Sequence, residues 1–124
     1  MLLTISLATL LTFAVCGWAD DVIEIAIEVA PNVLNLGSKG EVVTIHTDIA
    51  YSAVDGASVM LNNIEIDWWK SDNQGYFVAK FDIDKVKGNV LVGTNVLTLT
   101  GWTTEGVQFT GTTTFTVINK MPKK

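Results

Sequence analysis

The chain has 124 residues, which suits one ordinary domain and is too short for two. Hydrophobic residues make up 48% of it and charged residues 17%, a balance of globular rather than disordered chains. The formal net charge is −5 and arginine is absent, so the basic side chains that displace counterions from phosphate are scarce. This argues against nucleic acid and against anionic membrane surfaces as partners.

Met1–Ala19 holds no charged side chain. Leu2–Val15 is apolar apart from Ser and Thr, and Gly17-Trp18-Ala19 supplies a small-x-small cleavage pattern ahead of Asp20. Residues 1–19 are therefore expected to be a cleaved signal peptide, although no Lys or Arg follows Met1. Two other fates stay open. The run could be retained as an anchor, though it is short for a span. The sole cysteine, Cys16, could be lipidated, since Phe13-Ala14-Val15-Cys16 loosely resembles a lipobox. Cleavage after Ala19 would leave a mature chain without a thiol. The expected domain is 20–120, followed by a frayed tail at 121–124.

From Val22 the pattern alternates. Ile23, Ile25, Ile27 and Val29 share one face, with Glu24 and Glu28 opposite, which predicts one strand up to Pro31. Val33–Leu36 is a short strand closed by the turn Gly37-Ser38-Lys39-Gly40. Glu41–Ile49 alternates again, placing Val43, Ile45 and Thr47 inward. A loop at Tyr51–Gly56 leads to Ala57–Leu61, and Asn62-Asn63 is a two-residue hairpin turn. Ile64–Lys70 is expected to pair back along that strand, with Ile64, Ile66 and Trp68 inward and Glu65, Asp67 and Trp69 outward.

Asp72-Asn73-Gln74-Gly75 predicts a turn into Tyr76–Ile83, with Phe77, Ala79 and Phe81 inward and Tyr76, Val78 and Lys80 outward. Asp84–Gly88 reads as one helical turn capped by Asp84. Asn95–Gly101 gives Leu97 and Leu99 to the core. A turn at Thr104-Glu105-Gly106 closes onto Val107–Ile118, where Phe109, Thr113, Phe115 and Val117 share a face. Short strands separated by Gly, Asn and Asp turns predict an all-β, Greek-key-type antiparallel sandwich of roughly seven to nine strands. No stretch after the leader has the helical period that parallel crossovers require.

The segments Val29-Ala30-Pro31, Leu34-Asn35-Leu36, Val78-Ala79-Lys80-Phe81-Asp82, Leu97-Thr98-Leu99-Thr100-Gly101 and Phe109-x-Gly111-Thr112 carry a resemblance. In this order they resemble immunoglobulin-like β-sandwich modules of secreted and cell-surface proteins of bacteria and archaea. The resemblance implies an exported module with a structural, spacing or adhesive role. It implies no chemistry, because its motifs are turns and core strands. Such modules often carry an acidic Gly-rich loop, whereas Ser71–Gly75 holds one carboxylate, Asp72, so no calcium role carries over.

Catalytic residues, a metal site and a cofactor are not expected. His46 is the only histidine and shares a face with Asp48, without a second ligand or a nucleophile nearby in sequence. Glu65, Asp67 and Asp72 lack the alternating spacing of a calcium loop. The candidate ligand-binding residues are Trp69, Trp102 and Tyr76, aromatics set beside polar side chains in the way that stacks sugar rings. The expected partner is an extracellular protein or a polysaccharide. The threonine-rich final strand could also self-associate if it forms a sheet edge.

Overall fold

The computed structural model of the chain describes residues 22–37, 39 and 41–120. The expected signal peptide at 1–19, with Cys16, residues 38 and 40 of the expected 37–40 turn, and the expected tail at 121–124 lie outside those residues. Among the described residues, ten strands form two packed sheets. They are β1 (Val22–Glu24), β2 (Ile27–Ala30), β3 (Val33–Asn35), β4 (Val42–Ala50) and β5 (Val54–Leu61). After them come β6 (Ile64–Glu65), β7 (Trp68–Ser71), β8 (Tyr76–Asp82), β9 (Gly93–Thr103) and β10 (Gln108–Ile118). The larger sheet has the order β1-β10-β9-β5-β6, with β3 also on β10, and the smaller has the order β2-β4-β8-β7. This is the strand order of an immunoglobulin-type sandwich. Most pairs are antiparallel, but the short β1 and β3 run parallel to β10.

Between the sheets, Phe77, Phe81, Phe109, Ile45, Leu97 and Leu99 are fully buried, as the alternation predicts. Each such side chain contributes roughly 1.5–3 kcal/mol on burial. Thr47 is the one buried polar side chain among the described residues. Its hydroxyl donates to the Phe77 carbonyl at 2.6 Å, where the β4–β8 register slips after His46.

Two expected single strands prove to be pairs of strands in different sheets. Val22–Val29 divides at Ile25-Ala26: β1 pairs with β10 in the larger sheet and β2 with β4 in the smaller. Ile23 is consequently exposed rather than core. The Ile64–Lys70 stretch divides at Ile66-Asp67. Only Ile64 and Glu65 pair back onto β5, and β7 joins β8. A hydrogen bond from a backbone N–H holds each crossing: the Ala26 N–H donates to the side-chain oxygen Asp48 Oδ1 at 2.9 Å and the Asp67 N–H to the Lys80 carbonyl at 3.0 Å.

Three smaller expectations change as well. Tyr51–Ala53 is a 3-10 turn, with strand already resuming at Val54. The helical turn, α1, spans Ile83–Lys87 and is capped by Asp82, whose carboxylate accepts from the Asp84 N–H. The final strand is an edge covered only at its two ends: β9 runs along one side of β10, and on the other β1 pairs with Gln108–Thr110 and β3 with Thr116–Ile118. The Asn62-Asn63 turn does form, with φ of 48° and 70°.

Candidate functional site

Crossing between sheets at Ile66-Asp67 breaks the alternation and reverses the expected faces of the two tryptophans. Trp69 lies opposite the buried Ala79 and so points between the sheets. A Cβ at Gly56 of β5 would fall inside the Trp69 indole, so the ring closes the side of the sandwich over that glycine. Standing at the margin, Trp69 keeps 37% exposure. Trp68 lies opposite Lys80 on the outer face and is 48% exposed.

The outer face of the smaller sheet can be read from the register. One row across the strands is Trp68–Lys80–Thr44–Ala30, and the next is Lys70–Val78–His46–Glu28. Tyr76 closes the face two residues further along β8. The Lys80 ammonium lies 5.4 Å from the Trp68 ring centroid and donates to Thr44 Oγ1 at 2.9 Å. This cation–π contact and hydrogen bond hold the indole and the amine together. Burial, followed by the nearby Lys70 charge, lowers the Lys80 pKa. Val78 was expected to face outward and does so, yet it is fully buried. Its cross-strand neighbours on this face are His46 and Lys70.

Beside Trp68 opens a crevice of about 370 Å³, lined also by Glu41, Val42, Asp67, Phe81, Asp82 and Asp84. Asp67 is committed at both oxygens, to Lys85 Nζ at 2.7 Å and to the Asp82 N–H at 2.6 Å. The Lys85 bond, then the Asp82 N–H, holds the Asp67 carboxyl below its usual value, and the same contact raises Lys85. Asp82 uses one oxygen as the α1 cap. The remaining acceptors suit hydroxyl or amine donors. Among the described residues no group of three or more His, Cys, Asp and Glu side chains could hold a metal ion. Asp72, at the other end of β7, accepts from the Gln74 and Tyr76 N–H groups. The Tyr76 bond is the main cause lowering its carboxyl pKa.

The three residues singled out in the sequence do not converge. Tyr76 shares the outer face with Trp68, about 13 Å along β8 from the Lys80 row. Trp69 lies at the side of the sandwich. Trp102 is 46% exposed on the outer face of the larger sheet, between Asp55 and Gln108. The Trp102 backbone N–H donates to Ser58 Oγ at 2.9 Å, across the bulge in β5. Sequence reasoning missed Trp68 as a candidate because it placed Trp68 inward and Trp69 outward, the reverse of what is found. No local signal marks the change, since Ile64-Glu65 and Ile66-Asp67 alternate alike although only the first pair stays on β5.

No protein-family model matches the chain, and no curated protein matches it. Among solved structures, the chain is similar to CopC from Methylosinus trichosporium OB3b at 14% identity and a TM-score of 0.44. That similarity covers 81% of this chain and 99% of CopC.

Proposed function

We propose that this chain is an exported, non-catalytic binding module that holds polysaccharide on the outer face of its smaller sheet. The observation that carries the reading is the placement of Trp68: half exposed, fixed on a strand over the Lys80 ammonium, and bordered by a crevice of acceptors. An aromatic face stacks on a sugar ring, and nearby carboxylate, hydroxyl and amine groups bond its hydroxyls. Tyr76, Lys70 and His46 extend the polar track along the same face. The apolar leader Leu2–Val15 supports export. Retention on insoluble cellulose, chitin and xylan tests the reading. Wild type and Trp102→Ala should be retained on at least one of them, and Trp68→Ala should be released. Retention that survives Trp68→Ala, or retention on none, counts against it.

A second reading, adhesion to a protein, is favoured at one corner. Leu91 is 79% exposed, and Val92 and Val96 are exposed beside it in sequence. Asn95 fixes this loop, accepting from the Leu91 N–H at 3.0 Å and donating to the Leu91 carbonyl at 2.6 Å. A contiguous patch of exposed apolar side chains marks a surface suited to protein contact. Leu91→Ser would weaken such adhesion and leave polysaccharide retention unchanged.

A further inference from the structure

At the end of the sandwich where β1 begins there is an open cleft of about 650 Å³. It arises because the chain leaves the larger sheet after Glu24, while β4 slips its register on β8 after His46. Ile25 and Ile49, each packed against the core but only partly buried, line its apolar floor. Ile23, 44% exposed, and the half-buried Val107 continue that floor from β1 and from the residue just before β10.

The rim has one sign of charge. It carries Glu24 from β1, Asp48 from β4 and Glu105 from the β9–β10 turn, all exposed. The described lining holds no basic side chain. Asp48 gives one oxygen to the Ala26 N–H, which anchors it at the mouth. A neutral apolar ligand would leave these carboxylates without partners as it displaced their water. An anionic ligand would be repelled by them and by the net charge of −5. A hydrocarbon surface bearing cations complements both floor and rim.

We propose that this cleft docks a basic, aliphatic segment of a partner protein. Its apolar side chains lie on Ile23, Ile25 and Ile49, and its lysines or arginines meet Glu24, Asp48 and Glu105. The site is separate from Trp68 and holds whether or not that face binds sugar.

Fluorescence anisotropy with a labelled alternating Lys–Leu peptide tests the proposal. The peptide should bind, a Lys–Ser peptide of equal charge should bind at least several-fold more weakly, and a Glu–Leu peptide should not bind. Exposed charge contacts are each worth a factor of roughly 1.5 to 5, so the pair Glu24→Gln and Glu105→Gln should weaken binding by about fivefold. The pair Asp55→Asn and Glu65→Gln changes net charge equally on the outer face of the larger sheet and should have no effect. Ile23→Ser, at an exposed position, should weaken binding without altering the melting temperature. Equal weakening by both charge pairs, equal binding of the Lys–Ser peptide, or no binding would overturn the proposal. So would spermidine binding as well as the Lys–Leu peptide, since the cleft would then be a small-amine site.

Discussion

Gly56 and Trp69 meet where the margin of the sandwich closes, and neither can be changed without the other responding. The absence of a Cβ at Gly56 lets the indole lie flat against β5. Gly56→Ala should lower unfolding free energy by about 1–3 kcal/mol through overpacking. In a Trp69→Ala background the same substitution should cost far less, because the space is then vacant. Urea denaturation of the four proteins in this cycle measures the coupling. Asp67 acts at the same scale but through charge. Its carboxyl pKa is depressed in the folded state, so its contribution is complete above the ordinary carboxylate pKa. That contribution is lost as pH falls through the lower folded value. Asp67→Asn should therefore melt below wild type at neutral pH, and the difference should vanish in strong acid. A constant difference across pH would place the effect in packing instead.

Among the elements, β4 shows how a polar side chain repairs an irregular ladder. Its register on β8 shifts between His46 and Ala50, and the Thr47 hydroxyl reaches the Phe77 carbonyl inside the core. Thr47→Val keeps the shape and removes the donor, so it should cost about 1–2 kcal/mol in denaturant unfolding. A neutral result would mean that the carbonyl finds another donor. The turns and most inward faces were legible in the sequence because period-two alternation and Asn, Asp and Gly punctuation are local properties. Asn62-Asn63 and the Phe77, Ala79, Phe81 face formed as read. The divisions of β1 from β2 and of β6 from β7 were not legible. The isoleucines recur at every second position through Ile25 and Ile66, and which sheet a residue joins depends on strands distant in the chain. From that one gap follows the reversed reading of Trp68 and Trp69.

At the scale of the whole molecule, switching strands between sheets wraps one core and leaves the two distinct surfaces proposed for contact. The outer face of the smaller sheet carries Trp68, Lys80 and Tyr76, and the end cleft carries Glu24, Asp48 and Glu105. The most direct measurement follows the indole N–H resonances of Trp68, Trp69 and Trp102 by NMR during titration with cello-, chito- and xylo-oligosaccharides. The Trp68 signal should shift with at least one of these sugars while Trp69, packed on Gly56, stays in place. A shift confined to Trp69 or Trp102, or no shift with any of the three, would contradict the assignment of Trp68 as the binding platform.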